Sequence, residues 1–376
     1  MRILHLVGQR EDAGGILSVI RCLHQAGPAA GIRHTVWVHR DYAETRSPAL
    51  DYRRTGFIVS DSPSHPAIFF TSALAFFSLR KLLRQESFDV IHAHTRGGLI
   101  VALLAGLFLG RQVLFTNHSY ANRTWLYRWA ARRDWMPTVV LNPNMAAHYG
   151  LEVEPPKCSI IFSGCADRFL QEPLTANAWT GADPLAKLKL VGMGTLVRWK
   201  CWHHPIAALA RLPSELKARV EFHLWGPEQG DADSQAFAAE LRELIEQHGL
   251  QQTVLLRGVT NRVTDALRDG HFVVVASENE PCSVSLMEAL ALGLPALAAR
   301  SGGNVDIVQD GTTGLLYETG SIDDLRDIIA AILNGEFTPA PPAEIRDSVR
   351  GWAASEMAAK YNSVYGQMAK RNGDVS

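Results

Sequence analysis

Two glutamates, Glu280 and Glu288, lie eight residues apart in a segment whose residue types suit ligand binding. The apolar run at 272–276 predicts a strand that ends just before Glu280, and the pattern at 284–292 predicts a helix that contains Glu288. Both carboxylates are therefore expected at the carboxyl end of a sheet, where α/β proteins bind ligands. The backbone amides of Ser283, Val284 and Ser285 would lie at the start of that helix and suit a phosphate.

The same residues allow a purely structural role. Ser285 and Glu288 match the S-x-x-E capping box, in which the glutamate only caps its own helix. The residue types alone leave ligand binding and helix capping equally open.

A longer pattern extends over about forty residues from Glu280. Its members are Glu280, Glu288, Ala289, Gly293, Pro295, Gly302 and Gly303. This pattern resembles the retaining glycosyltransferase family 4, whose members have the GT-B fold. The resemblance implies that Glu288 binds the ribose of a donor nucleotide and that Glu280 contacts hydroxyls of the donor sugar.

A second segment, at 193–201, resembles the loop with which the family holds the donor diphosphate. Gly194, Leu196 and Lys200 match that loop, whereas Thr195 and Cys201 stand where the family has Arg and Gly. The resemblance implies that Lys200 neutralises the diphosphate, and nearby Arg198 is a candidate for the missing charge. Alternatively, Arg198 and Lys200 are ordinary loop charges.

Two features of the amino-terminal half also resemble the family. Gly14 and Gly15 follow the first predicted strand without the G-x-G-x-x-G spacing of dinucleotide-binding proteins. The resemblance implies a glycine-rich loop beside donor and acceptor, although two glycines after a strand are commonly only a turn. His118 matches a family histidine that lies against the donor sugar, but a lone histidine is more often structural. His92 and His94 are interpreted as structural or acceptor-side residues.

Short β-branched runs alternate with helical segments along the whole chain, which predicts α/β architecture with parallel sheets. Predicted strands lie at 2–7, 35–38, 89–92, 112–116, 138–141, 159–162, 188–192, 220–225, 253–257, 272–276 and 295–298. With the resemblance, this predicts the GT-B fold, in which two Rossmann-like domains face each other across a cleft.

The domain borders follow from a lapse in this alternation. Residues 169–184 are rich in loop-forming residues, so we place an acceptor-side domain at 1–170 and a donor-binding domain at 171–345. Residues 346–376 are predicted to be a helical tail that packs back on the first domain.

The composition predicts a globular cytoplasmic protein. Of the 376 residues 47% are hydrophobic and 20% charged, and the five cysteines form no C-x-x-C pair, which argues against disulfides and zinc. A strand predicted from Arg2 leaves no room for a signal peptide. The apolar runs at 67–79 and 97–110 are too short to span a bilayer and are predicted to be buried helices.

Charge is unevenly distributed between the two halves. Residues 1–170 have 19 Lys and Arg against 12 Asp and Glu, and the remaining residues have 18 against 26. Basic residues at 80–84 and 123–133 lie near aromatic residues, which suits peripheral contact with an anionic membrane on its inner face. A basic face that only binds a phosphorylated substrate is the alternative.

Together these observations predict a metal-independent, retaining glycosyltransferase of hexosyltransferase type without a cofactor. Its expected partners are a UDP- or GDP-sugar and a sugar or lipid-linked acceptor, in bacterial-type polysaccharide or glycolipid assembly, and no nucleic acid. A nucleotide-sugar epimerase, a glycosyl phosphorylase and a non-catalytic nucleotide-sugar-binding protein remain alternatives, because fold does not fix function.

Overall fold

The computed structural model describes residues 1–373, except residues 11, 13, 46, 47, 58, 60–64, 176–178, 180, 182 and 184. The chain forms two compact units: the first unit is Met1–Gly164 with the segment from Ala354, and the second unit is Cys165–Ala353. The loop-rich stretch 169–184, in which we place the linker, begins within a helix, Arg168–Gln171, and is only partly described.

The first unit is built on seven parallel strands in the order β3-β2-β1-β4-β5-β6-β7. The strands are β1 Arg2–Leu6, β2 Arg33–His39, β3 Asp51–Thr55, β4 Val90–Ala93, β5 Val113–Asn117, β6 Thr138–Val140 and β7 Cys158–Ile160. The helices between them are α1 Gly15–Ala26, α2 His65–Gln85, α3 Arg96–Leu109, α4 Trp125–Ala131 and α5 Pro143–Tyr149.

Local sequence signals fix where these helices begin and end. Thr95 Oγ1 accepts a hydrogen bond from the backbone N–H of Gly98 at the start of α3, and Gly110 ends it with a φ of 59°. Thr95 therefore satisfies one of the amides that a helix start leaves without a partner, and the left-handed backbone at Gly110 favours glycine.

The second unit is built on six parallel strands in the order β10-β9-β8-β11-β12-β13. The strands are β8 Leu188–Met193, β9 Val220–Trp225, β10 Val254–Gly258, β11 Phe272–Val275, β12 Ala296–Ala299 and β13 Gly314–Tyr317. The helices are α6 Arg168–Gln171, α7 His203–Ala210, α8 Ser214–Lys217, α9 Ala232–Gln247, α10 Val263–Arg268, α11 Val284–Ala291, α12 Asn304–Ile307, α13 Ile322–Leu333 and α14 Pro342–Ser348.

Both sheets reverse their strand order at one point. In the first unit β1 pairs with β2 on one side and with β4 on the other, and in the second unit β8 pairs with β9 and β11 in the same way. This is the Rossmann order, and ligands bind beyond the carboxyl ends of the two strands that flank the reversal. The candidate ligand-binding loops are therefore those after β1 and β4, and those after β8 and β11.

The final helix, α15 Ala354–Gly373, belongs to the first unit. Its residues Met357, Tyr361, Val364, Tyr365 and Met368 are buried in a cluster that includes residues of β1, β4 and β5. The spacing of these residues repeats at helical intervals, so one apolar side of the helix covers the sheet.

Two strands and one packing feature differ from the sequence-based predictions. β3 and β13 were not predicted: β3 is a polar edge strand, DYRRT, and β13 is a four-residue edge strand that begins with Gly314. The runs at 67–79 and 97–110 do form α2 and α3, but the prediction that they are buried is wrong in part. Five large apolar side chains of these helices are exposed, namely Phe69, Phe70, Phe77, Leu107 and Phe108.

Candidate active site

Lys200 and Glu280 form an ion pair beyond the reversal point of the second sheet. Lys200 Nζ donates to Glu280 Oε2 at 2.6 Å, and only 15% and 5% of the two side chains are exposed. Lys200 ends a short 3₁₀ helix, Arg198–Lys200, that follows β8, and Glu280 lies in the loop after β11. A largely buried pair of this kind leaves a costly unpaired charge if either partner is removed.

Backbone contacts fix the loop that carries Glu280. The backbone N–H of Glu278 donates to Trp199 O at 3.1 Å, which joins the two loops, and Gly303 N–H donates to Glu280 O at 2.8 Å. Gly302 has a φ of +53°, and a Cβ added there would lie 2.0 Å from Glu280 O. Only glycine fits this position, so Gly302 is required for the observed place of Glu280.

The backbone conformation at Cys201 accounts for one departure from the family pattern, in which this position is Gly. Its φ is 52°, in the left-handed region that glycine adopts without strain. The loop thus keeps the backbone conformation that a glycine would supply.

Arg198 is held away from the Lys200–Glu280 pair. Its guanidinium donates two hydrogen bonds to the Glu240 carboxylate, at 2.8 and 2.6 Å, and a third to Asp233 at 3.0 Å. These acidic residues lie on α9, and the contacts raise the pKa of Arg198 and lower that of Glu240. The structure brings Lys200 to Glu280 but gives Arg198 different partners.

The start of α11 lies close to the end of β8. Ser283 is the N-cap and is 2% exposed, and Ser285 Oγ donates to Met193 O, the last residue of β8, at 3.2 Å. As in any helix, the first-turn amides, including those of Val284 and Ser285, have no partner within the helix and carry partial positive charge. An anion at this end would therefore be stabilised.

Glu288 lies on the second turn of α11, and the capping alternative is wrong. The helix begins at Val284 after the N-cap Ser283, so Ser285 is not the cap, and the Ser283 side chain accepts no capping hydrogen bond. Burial raises the pKa of the Glu288 carboxyl to about 7, an effect that Arg168 partly opposes. A half-buried carboxyl group of this kind gains from hydroxyl groups that hydrogen-bond to its ionised form.

The predicted glycine-rich loop of the first unit is partly described, because residues 11 and 13 lie outside the described residues. Gly14 is the N-cap of α1 with a φ of 87°, and Gly15 is the first helical residue. Among the described residues, a Cβ at either glycine would have no neighbour within 4 Å. The backbone conformation therefore favours glycine at Gly14 only, and both positions leave room for a ligand.

His118 follows β5 and is half-buried. Its Nε2 is hydrogen-bonded to Nδ1 of His94 at 3.0 Å, and burial lowers the pKa of His118 to about 4. His92 and His94 are buried. His94 also touches His5, a residue that the sequence did not single out because a histidine inside a predicted strand gives no signal of its own.

A cavity of about 260 Å³ lies in the first unit between α2, α3 and the segment that follows β5. Its lining combines apolar groups such as Phe69 and Trp125 with the cationic side chains of Arg96 and Arg123. The guanidinium of Arg96 donates to Tyr127 Oη at 3.1 Å. The cavity therefore suits a molecule that has both an anionic and an apolar part.

The protein thus has two Rossmann-like units with polar and charged loops beyond the reversal points of their sheets. The family model "Glycosyl transferases group 1" matches residues 181–349, and the model "Glycosyltransferase Family 4" matches residues 13–149. The two models cover both units, and the chain belongs to the GT4-type glycosyltransferases of the GT-B fold.

Curated relatives match the chain at low sequence identity. The chain is 26% identical over 174 residues to N-acetyl-alpha-D-glucosaminyl L-malate synthase of Bacillus anthracis. This alignment covers 45% of this chain and 43% of that protein. It is 22% identical over 366 residues to D-inositol 3-phosphate glycosyltransferase of Arthrobacter sp. (strain FB24), covering 87% and 83% of the two chains. The alignment with the Bacillus protein thus spans less than half of that relative's length.

Solved structures share the fold over the whole chain. Sucrose-phosphate synthase from Thermosynechococcus elongatus aligns with a TM-score of 0.81 at 18% identity, covering 98% of this chain and 99% of that one. Anabaena Alr3699/HepE in complex with UDP-glucose aligns with a TM-score of 0.68 at 18% identity over 100% of both chains. At these identities the likeness shows the GT-B fold alone.

Proposed function

We propose that the protein transfers a glycosyl group from a nucleotide-sugar to an acceptor hydroxyl with retention of the anomeric configuration. The observation that carries this proposal is the Lys200–Glu280 pair, which lies, with the start of α11, beyond the strands that flank the reversal point of the second sheet. Membership of the GT4-type family supports the same reaction.

Lys200 would neutralise the leaving diphosphate. Breaking the bond between the anomeric carbon and the diphosphate is the difficult step, and fixed positive charge lowers its barrier. The first-turn amides at Ser283, Val284 and Ser285 would bind the same phosphates. Arg198 is a weaker candidate for this role, because Glu240 and Asp233 already hold its guanidinium.

Glu280 would release Lys200 to the diphosphate and accept hydrogen bonds from hydroxyls of the donor sugar. In this exchange Lys200 gains the diphosphate as its counter-charge, and the hydroxyls keep the buried Glu280 carboxylate hydrogen-bonded. Glu288, whose pKa of about 7 leaves it partly ionised at neutral pH, would accept hydrogen bonds from the ribose. His118 and the loop at Gly14 and Gly15, which leaves room for a ligand, would contribute by positioning the sugar and the acceptor.

Metal independence is proposed because Lys200 and the start of α11 supply the positive charge that a diphosphate requires. Among the described residues, two groups of side chains are spaced closely enough to hold a metal ion. One is His5, His92 and His94, and the other is Cys201, His204 and Glu278. Neither group contains Glu280 or Glu288. Dialysis against a chelator should leave donor turnover unchanged, and a loss that added Mg²⁺ or Mn²⁺ restores would contradict this part of the proposal.

A screen of donors tests the reaction itself. UDP-, GDP- and ADP-sugars are compared for thermal stabilisation, because a ligand that binds only the folded state raises Tm. Release of free nucleoside diphosphate that increases with added acceptor is the expected result for a transferase. An epimerase would convert the donor without this release, a phosphorylase would require added phosphate, and a non-catalytic binding protein would leave the donor intact.

The acceptor is proposed to be lipid-linked, at the inner face of the cell membrane. Seven of the large apolar side chains exposed on the first unit, six of them aromatic, are what we call the aromatic face: Phe69, Phe70, Phe77, Leu107, Phe108, Trp125 and Trp129. α2 and α3 bring part of it together through Phe76 and Phe108, whose ring centroids are 6.2 Å apart, and Phe69 and Trp125 line one cavity. Among the described residues no helix is long and apolar enough to cross a bilayer.

Charge and apolar area would then act together on the aromatic face. Arg133 stacks on the Trp129 ring with its guanidinium carbon 4.3 Å from the ring centroid, and Arg123 lines the cavity. Each basic residue near an anionic surface contributes about 1 kcal/mol, which gives reversible, salt-sensitive attachment. The cavity would receive part of the lipid-linked acceptor.

Sedimentation with vesicles tests the membrane proposal. Wild-type protein should sediment with vesicles rich in phosphatidylglycerol at low salt and detach as salt is added. The double substitution Phe70→Ser with Phe108→Ser should weaken sedimentation, whereas Val259→Ser, at an exposed valine of the second unit, should not. Wild-type protein that stays in the supernatant at low salt would contradict the proposal and favour a soluble acceptor.

A further inference from the structure

Four buried or half-buried histidines of the first unit form a continuous hydrogen-bonded row. His34 Nδ1 lies 2.8 Å from His5 Nε2, His5 Nδ1 lies 2.8 Å from His94 Nε2, and His94 Nδ1 lies 3.0 Å from His118 Nε2. These residues, which we call the histidine row, lie on β2, on β1, after β4 and after β5. Those four strands are neighbours in the sheet, so the row crosses the reversal point.

Every ring in the row is electrically neutral at neutral pH. Burial lowers the pKa of His34 and of His118 to about 4, and lowers the pKa of His5 and His94 well below their ordinary value. A neutral imidazole has one N–H donor and one acceptor nitrogen. The hydrogens of the row must therefore all point in the same direction, and one end determines the other.

The His34 end decides that direction. His34 Nε2 is buried and has no hydrogen-bond partner in the part of the chain that the structure describes. A hydrogen on this nitrogen would be a buried donor without an acceptor, which is rarer in proteins than an unsatisfied acceptor. His34 therefore carries its hydrogen on Nδ1 and donates to His5, His5 donates to His94, and His94 donates to His118.

A fifth histidine packs against the row without joining it. His92 Nδ1 lies 2.7 Å from Tyr365 Oη, and His92 Nε2 lies 2.8 Å from Thr116 Oγ1. Its ring centroid is 3.9 Å from that of His94, which holds the His94 ring in place. Within the described residues, His118 Nδ1 is thus the one ring nitrogen of these five histidines that is neither hydrogen-bonded nor buried.

We infer that His94 is a positioning residue that fixes the tautomer of His118, so that His118 presents Nδ1–H as a hydrogen-bond donor to an oxygen atom of the donor sugar. That the ligand is a donor sugar rests on the proposed function, whereas the tautomer of His118 does not. Because Nε2 of His118 is occupied by the His94 hydrogen, the histidine cannot act as a base through Nδ1. It selects sugars that offer an acceptor oxygen at this position.

Nitrogen NMR of the full chain labelled with ¹⁵N-histidine tests the tautomer without any ligand. The long-range ¹H–¹⁵N spectrum distinguishes a protonated from an unprotonated ring nitrogen, and the signals of His118 are assigned by their loss in His118→Asn. We expect a protonated Nδ1 and an unprotonated Nε2. The opposite pattern in wild-type protein would overturn the inference, even if no variant of His94 folds.

Two substitutions of His94 separate its two hydrogen bonds. The amide of His94→Asn reaches the place of Nδ1 and can still donate to His118, whereas that of His94→Gln reaches the place of Nε2 and keeps only the His5 side. His118 should retain the hydrogen on Nδ1 in His94→Asn and lose this preference in His94→Gln. The same tautomer in both variants would show that His94 does not set it.

Ligand affinity then tests the role in sugar binding. The probes are UDP-glucose or GDP-mannose, whichever stabilises the wild-type protein, and the corresponding free nucleoside diphosphate. His94→Gln should bind the nucleotide-sugar several-fold more weakly and the free diphosphate equally well, and His94→Asn should bind both nearly as the wild type does. Equal losses for both ligands would contradict the inference, and absence of binding to the wild type would instead contradict the proposed function.

Discussion

The two units repeat one strand order and use it differently. Beyond the reversal point of the second sheet lies a charged pair, Lys200 with Glu280, whose loop is fixed by Gly302. At the corresponding place in the first sheet lies a row of neutral histidines that ends at His118. The same topology thus places an ion pair in one unit and a row of hydrogen-bonded histidines in the other.

The two parts of the chain also differ in net charge. The half of the chain that builds most of the first unit is basic, with 19 Lys and Arg against 12 Asp and Glu, and it carries the aromatic face. The rest of the chain, with 18 against 26, is acidic. A basic first half and an acidic second half suit different external partners.

Loss of Lys200 should produce the largest effect. Lys200→Ala removes the proposed counter-charge for the diphosphate and leaves Glu280 buried without its partner, so donor turnover should fall about 10²- to 10³-fold. Lys187→Ala is the matched control, because Lys187 forms an exposed 2.8 Å ion pair with Glu221 in the same unit. Similar turnover in the two variants would contradict the proposed role of Lys200 in binding the diphosphate.

Gly302→Ala should have the next largest effect. Its Cβ would overlap Glu280 O in a left-handed backbone, so we expect a loss of roughly 3 kcal/mol in the free energy of unfolding, together with weaker donor binding. The control is Gly311→Ala, with a φ of +79° and no neighbouring atom of the described residues within 4 Å, which should cost about 1 kcal/mol and leave binding unchanged. Urea unfolding measures both, and equal losses would show that the overlap is unimportant.

Glu288→Gln should change stability and binding in opposite directions. The folded-state pKa of about 7 exceeds the unfolded value of 4.5, so the native protein binds the extra proton between these values and loses stability as pH rises through them. Above pH 7 the variant should be more stable than wild type by roughly 1–2 kcal/mol after allowance for partial solvent exposure, with little difference near pH 4.

The same variant should bind free nucleoside diphosphate about tenfold more weakly above pH 7, because an amide is a poorer acceptor than a carboxylate. Asp306→Asn is the control, since burial also raises the pKa of Asp306, which is not a proposed ligand residue. It should gain stability without losing affinity. Unchanged affinity in Glu288→Gln would remove Glu288 from the nucleotide site.

Arg198→Ala should give the smallest effect. Its guanidinium is exposed and bound to Glu240 and Asp233, and such surface pairs contribute little. Donor turnover should stay within about threefold of the wild-type rate. A fall as large as that of Lys200→Ala would show that Arg198 leaves its carboxylate partners and binds the diphosphate.

The alternation of strand-like and helical segments was sufficient to predict most strands, including β9 at its observed bounds, where Val220, Phe222 and Leu224 alternate with polar residues. It did not predict β3, since an edge strand needs no such run. The resemblance singled out Lys200 and Glu280, but not their contact, because the two residues lie 80 positions apart and the intervening sequence has no signal for register. The histidine row was missed for the same reason: its members meet only through strand pairing.

Proton NMR of the sugar released from an α-linked donor tests the central claim most directly. Water replaces the unidentified acceptor in slow donor hydrolysis, and the first spectra, taken before the sugar equilibrates between anomers, show which anomer leaves the enzyme. A retaining transferase whose acceptor oxygen enters on the face that the diphosphate leaves should release the α anomer first, and Lys200→Ala should slow that release. Initial release of the β anomer would contradict retention, and absence of donor turnover, with or without candidate acceptors, would contradict the proposed transfer reaction.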